Sequence, residues 1–256
     1  MTEHPDKNGV PVLERTLEVL SFLERTPDGL SIRDLTKYLG VPRSTVYRIL
    51  NTLQAHQIVL RNVEGTYVLG PRLLTLAAKV KVQMSYDLVG AAQPVMQQLA
   101  QETGEGNKLS VFARETALVV AAATGTGEYG LHPAVGQSFP LHAGAASKMI
   151  MAHLDAVMLD RLLSQPLTQF TSATRIDPAQ LRAELELIRE QGWAQDMGEH
   201  VGSVCAMAAP VWDPTGRFAA ALSIPFLAGQ TPERISTLKA AVITAARDLS
   251  QRIRKL

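Results

Sequence analysis

Cysteine, aromatic residues, a dominant charge and long apolar runs are all scarce in this chain. A single cysteine, Cys205, in 256 residues excludes an internal disulfide and a cysteine-rich metal cluster within one chain. Aromatics make up only 5%, with Trp193 and Trp212 the sole tryptophans, so Leu, Val, Ile, Met and Ala must fill the cores. With 25 basic against 24 acidic residues, no polyanion-binding tail stands out. The longest apolar runs, Val204 to Val211 and Ala219 to Ala228, contain proline and fall short of the ~20 residues that span a bilayer. The first ten residues mix Glu3, Asp6 and Lys7, and no apolar core follows, unlike a secretory signal. The expectation is a cytoplasmic protein without a membrane segment.

What is present fits a folded chain: 46% apolar and 19% charged, in a length that suits two modest domains. Residues 1–10 are polar, with Pro5 and Gly9, and read as a disordered leader. From Leu13, apolar residues at 13, 17, 20 and 23 recur at helical spacing, and Pro27-Asp28-Gly29 ends that helix. Ser31 and Asp34 have capping-box spacing for a second helix, stopped by Gly40. Pro42 opens a third, with Val46, Ile49, Leu50 and Leu53 as its buried stripe. Two helices joined by a short glycine-containing turn have helix-turn-helix form. The period then changes to two: Ile58–Leu60 and Tyr67–Leu69 read as strands of a hairpin. Residues 11–70 therefore read as a winged helix-turn-helix, and 71–85 as a linker helix with one apolar face.

Residues 86–256 read as a second domain of α+β class. Helices are expected at 87–102, 144–153, 155–164, 178–191 and 232–253. Strands are expected at 108–113, 117–123, 129–132, 193–198, 204–211 and 218–225. Short turns between strand pairs predict a mostly antiparallel sheet flanked by helices. The stretch Gly125–Gly130 is glycine-rich but lacks the lysine of a phosphate loop, and reads as a mobile hairpin or interface loop. No cofactor motif or histidine metal spacing is evident.

Charge is local. Between Gly29 and Arg61 five basic residues face one acidic residue, a net +4, whereas residues 81–256 carry 15 basic and 16 acidic. Positive charge concentrated on a helix-turn-helix suits phosphate attraction. Arg33, Lys37, Arg43, Ser44, Thr45, Tyr47, Arg48 and Arg61 are the candidate DNA contacts. Open amides at Arg43 to Thr45 suit a phosphate, Arg48 either a guanine edge or a phosphate, and Arg61 the wing's path along the backbone.

The order of these features resembles the bacterial isocitrate-lyase-regulator (IclR) family of transcription factors over nearly the whole length. Matching stretches include Glu14–Leu20, Gly29–Leu35, Val41–Leu50 and Tyr67–Gly70, then Pro140–Ala143, Thr171 with Thr174, Gly192–Ala194 and Glu199–Val211. A lysine is commoner in that family at Arg43, which keeps charge but not donor geometry. The resemblance implies a GAF-like effector-binding second domain and a ligand-responsive repressor or activator rather than an enzyme. It implies a dimer, or dimer of dimers, on palindromic operator DNA, with a small organic acid as effector and no cofactor.

By the same resemblance, Asp196, Glu199, Cys205 and Ser223 take polar pocket roles, and Leu141 and Ala145 apolar ones. Amides at the start of the 144–153 helix would hold the acid's carboxylate. Pro225 stands where a second serine is common, and Leu109–Phe112, Leu131 and Phe139 favour an aromatic or longer-chain acid over a small keto acid. Cys205 reads equally as pocket lining or as plain core. A winged-helix adaptor and a cysteine-based redox sensor are the alternative functions.

Overall fold

The computed structural model describes residues 10–83, 87–127, 131 and 133–254. Most of the leader, much of the expected strand 129–132 and the end of the glycine-rich loop lie outside the described residues. So do residues 84–86, where linker and second domain were expected to join. The chain divides into two compact units, 1–85 and 86–256.

The first unit runs α1 (Pro11–Glu24), α2 (Ile32–Leu39), α3 (Arg43–Ala55), β1 (Val59–Arg61), β2 (Tyr67–Leu69) and α4 (Arg72–Gln83). The start of α2 is set by a capping box. Ser31 Oγ accepts the Asp34 amide at 3.2 Å, and the Asp34 carboxylate accepts the Ser31 amide at 3.2 Å. Gly40, left-handed at φ 64°, ends it. Val19, Leu23, Leu35, Val46, Leu50, Val59 and Tyr67 form one core. An antiparallel bridge from Leu30 to Tyr67 ties the hairpin back to the segment before α2. Gly29 turns into that bridge at φ 80°; a Cβ there would meet Tyr67 O at 2.6 Å.

The second unit runs α5 (Leu88–Thr103), β3 (Asn107–Ala113), β4 (Thr116–Ala123), β5 (Ser138–Pro140), α6 (Ala145–Ala152), α7 (Ala156–Leu163), α8 (Pro178–Gln191), β6 (Ala194–Met197), β7 (Val204–Trp212), β8 (Phe218–Leu227) and α9 (Pro232–Ile253). The strands form one antiparallel sheet in the order β5-β4-β3-β8-β7-β6. β5 is a finding the apolar pattern does not signal: three residues, one of them proline, fitting an edge strand.

Side-chain alternation along β7 separates two cores. Cys205, Met207, Ala209 and Val211 face α5 and α9, while Ala206 and Ala208 face α6, α7 and α8. Alanines dominate the second face, so α6 packs close to the sheet. A cavity opens between the start of α6 and the sheet.

Candidate functional sites

In the first unit, α3 divides cleanly by face. Val46, Ile49, Leu50 and Leu53 are buried, while Arg43, Ser44, Tyr47 and Arg48 are exposed and Thr45 is half-buried. Pro42 precedes the helix without a side-chain cap, so the Arg43 and Ser44 amides stay open at a positive helix end. The Thr45 amide is not among them: it donates to Pro42 O at 2.9 Å. Arg33 and Lys37 are exposed on α2. Arg61 is exposed on the wing, its Nε donating to Gly65 O at 3.3 Å and its guanidinium 5.8 Å from the Tyr67 ring centre.

In the second unit the cavity measures about 220 Å³. Its floor is the sheet: Lys108 and Ser110 of β3, Ala117 of β4, Ser223 and Pro225 of β8, and Ala206 of β7. Its roof is the start of α6, Gly144 to Ser147, and its rim is Leu131, Phe139, His200, Val201 and Val204. Asp196, at the end of β6, closes one side.

The structure thus gathers Ala145, Asp196 and Ser223 at the cavity. Leu141, Glu199 and Cys205 are not on its lining. Leu141 packs in the core between α6 and the sheet, and Cys205 faces the opposite core, one strand position out of phase with Ala206. Burial and the nearby Asp196 charge raise the Cys205 thiol's pKa, which keeps it protonated and inert. Leu109 likewise faces the other core, whereas Leu131 and Phe139 do line the cavity.

Glu199 acts from behind the lining. Its Oε2 accepts the Gly144 amide at 3.3 Å, and its other oxygen pairs with Lys148 Nζ. Lys148 is fully buried and reaches Glu184 Oε1 of α8 at 2.6 Å. The turn carrying Glu199 is pinned by Thr171 Oγ1 on Gly198 O at 2.7 Å and Thr174 Oγ1 on Glu199 O at 2.6 Å. Asp196 Oδ1 accepts the Glu199 amide at 2.7 Å. Burial raises the pKa of both Asp196 and Glu199, more than their positive neighbours lower them.

Sequence reasoning missed Lys108, Lys148, Ser110 and His200. Burial pushes the Lys108 ammonium down to about 8, and it sits 3.6 Å from the centre of the Phe139 ring. Burial also lowers the pKa of His200, which meets Phe139 edge-on at 5.7 Å. Ser110 is fully buried, and its Oγ has no hydrogen-bond partner. Lys108 and Ser110 sit two apart on one strand, so a period-two reading of β3 places them on one face; that signal was available. Among the described residues, no three His, Cys, Asp or Glu side chains are placed to hold a metal, and no helix is long and apolar enough to cross a membrane.

Two family profiles match the chain: IclR helix-turn-helix domain over residues 12–62, and bacterial transcriptional regulator IclR C-terminal over 80–251. The HTH-type transcriptional regulator Rv1719 of Mycobacterium tuberculosis is 35% identical over 78% of this chain and 76% of its own. The HTH-type transcriptional regulator BhcR of Paracoccus denitrificans is 30% identical over 96% of this chain and 88% of its own. In fold, the chain resembles the crystal structure of an IclR homologue from Microbacterium hydrocarbonoxydans complexed with 4-hydroxybenzoate. That likeness has a TM-score of 0.83 at 23% identity and covers 96% of this chain and 100% of the other.

Proposed function

Since the chain belongs to the IclR family of ligand-responsive, helix-turn-helix DNA-binding transcriptional regulators, we propose that it controls a catabolic operon in response to a small organic or aromatic acid. The observation that carries the DNA half is the division of α3. Its apolar side is spent on the core, which leaves Arg43, Ser44, Tyr47 and Arg48 free for the major groove. Thr45 and the open helix start meet a phosphate, while Arg33, Lys37 and Arg61 extend the basic surface along the backbone.

The sensing half rests on the cavity. At about 220 Å³ it is smaller than the ~300 Å³ at which drug-sized ligand sites begin, so its occupant is a small molecule. A half-buried ammonium, three serine hydroxyls and a largely apolar rim suit an acid with a hydrocarbon body. The 4-hydroxybenzoate bound to the Microbacterium homologue makes single-ring acids the first to try.

The regulator works as a cytoplasmic dimer or dimer of dimers on a palindromic operator, as repressor or activator. Supporting the pairing, Leu74 and Leu76 of α4 and Leu13 and Leu17 of α1 are exposed apolar residues awaiting a partner. The test is a salt-titrated mobility shift on the DNA upstream of its own gene, against a scrambled duplex, with and without an acid panel. A specific shift that one acid alters supports the reading. No preference over scrambled DNA at any salt favours the adaptor alternative.

A further inference from the structure

The tip of the β1–β2 hairpin breaks the local rule for its position. Asn62 to Gly65 is a tight turn, closed by the Gly65 amide on Asn62 O at 3.0 Å, with Gly65 left-handed at φ 86°. Asn62 and Gly65 are residues that such a turn favours at its first and last places. Val63, at the second, is β-branched and apolar where proline or a small polar residue is usual. Its side chain is fully exposed, so no packing offsets the poor local fit.

The turn that displays this valine is tightly held. The Asn62 amide donates to Thr66 O at 2.9 Å, and the Thr66 amide donates back to Asn62 Oδ1 at 2.9 Å. Arg61 Nε donates to Gly65 O at 3.3 Å, and Thr66 Oγ1 to Asp28 O at 3.2 Å, close to the Leu30–Tyr67 bridge. An apolar side chain on a pre-ordered tip loses little freedom when it meets a partner.

Charge and continuity select that partner. The hairpin begins at Val59, just after α3 ends at Ala55, so it continues from the helix proposed to read DNA. The net +4 between Gly29 and Arg61 draws a polyanion to this unit. Residues 62–66 contain one acid, Glu64, and no base, so the tip itself is poorly suited to phosphates, and Arg61 beside it takes that contact. What lies between two rows of phosphates is the uncharged floor of the minor groove, in a cleft about 6 Å wide.

We infer that Val63 reads the minor groove and selects A·T over G·C at base pairs flanking those read by α3. The inference rests on the proposed DNA-reading role of this unit. In that groove an A·T pair shows acceptors only, and a G·C pair adds the guanine N2 amine. The amine stands proud of the floor and is a donor that valine cannot satisfy. G·C therefore loses both close contact and a hydrogen bond to water, whereas A·T lets the two methyls lie against the floor.

The test begins with selection of bound duplexes from a random library by the full chain. Each flanking A·T pair of the enriched site is then replaced by G·C or by inosine·C, and binding is followed by fluorescence anisotropy. Inosine·C keeps the major-groove edge of G·C and lacks the N2 amine. At one or more flanking pairs, G·C should weaken binding about 10-fold and inosine·C should restore it. Val63→Thr keeps the shape and adds a hydroxyl that accepts from the amine, so it should cut the G·C penalty to about 3-fold or less. Its melting curve and salt slope should match wild type, because the side chain is exposed and uncharged. Inosine·C as weak as G·C, or a full G·C penalty in Val63→Thr, overturns the inference while leaving DNA reading intact. So does a preference for G·C that Glu64→Gln abolishes, which would assign the amine to the acid. If no sequence is enriched, the DNA-reading role itself falls.

Discussion

Lys148 and Glu199 form a buried ion pair behind the roof of the cavity, and the same lysine reaches Glu184 on α8. The lysine is fully buried in a helix otherwise built from Ala, Ser, Met and Ile. The pair therefore couples the turn after β6 to both α6 and α8. Lys148→Met is expected to strand the Glu199 carboxylate in a poorly solvated core, while Glu184 keeps Arg175 at 2.6 Å, and to cost about 3 kcal/mol. Urea unfolding of the full chain measures it, and adding Glu199→Gln should recover part of the loss. A melt unchanged from wild type would mean that the pair contributes nothing.

The exposed half of α3 predicts a salt signature. Replacing Arg43 and Arg48 together by Ala should weaken operator binding without moving the melting temperature, since both side chains are exposed. Each phosphate contact contributes about −0.9 to the slope of log K against log salt, so loss of both from each protomer of a bound dimer flattens the slope by roughly 4. If Arg48 reads guanine instead, the slope changes by about 2 per dimer and discrimination against scrambled DNA falls as well.

Lys108 predicts two pH effects of opposite sign. Its pKa in the folded chain is about 8, below the 10.5 of a free lysine. An acid held in the cavity beside this ammonium, as proposed, should lose affinity as pH rises through 8. Folding responds the other way: between about 8 and 10.5 the unfolded chain holds the extra proton, so stability rises with pH. The other titratable groups at the cavity are Asp196, raised by burial, and His200, lowered by burial. Titrations from pH 7 to 10 on wild type and Lys108→Met separate the lysine from both, because only the wild type should show the decline.

Gly29 is expected to be intolerant. Alanine there meets both a left-handed backbone and the Tyr67 carbonyl, costing on the order of 2 kcal/mol. Calorimetry should show earlier melting of the first unit, with operator binding lost at the same temperature. The second unit's transition should not move.

Cys205→Ala addresses the redox alternative. The thiol packs among Met207, Leu222 and Phe226 in the core against α9, away from the cavity. Operator and acid binding should match wild type in reducing and oxidising buffers, with a stability loss of about 1 kcal/mol. A redox-dependent response in wild type that the variant lacks would restore the sensor reading.

Local signals were legible and long-range ones were not. Ser31 with Asp34, Asp177 before Pro178 and Thr231 before Pro232 mark helix starts within a few residues, and all three side chains cap as their spacing implies. The two faces of β7 are readable in principle, but resemblance to a family named Cys205 without fixing its phase, and one residue of phase decides which core it joins. Lys148 sits in a run of small and apolar residues where a lone lysine reads as solvent-facing. Its partners lie 36 and 51 residues further on, and no spacing rule joins them. Lys108 and Ser110 gain meaning only once α6 covers that face of the sheet.

The pairing of β3 with β8 has a bearing on synthesis. Lys108 and Ser223 stand opposite each other across that joint, 115 residues apart in the chain. The first unit finds all its strand partners between Leu30 and Leu69. On the ribosome, then, the DNA-reading half can complete its own sheet while the sensing floor still waits for β8. For that interval the nascent chain has the proposed operator-binding surface but not the proposed effector site.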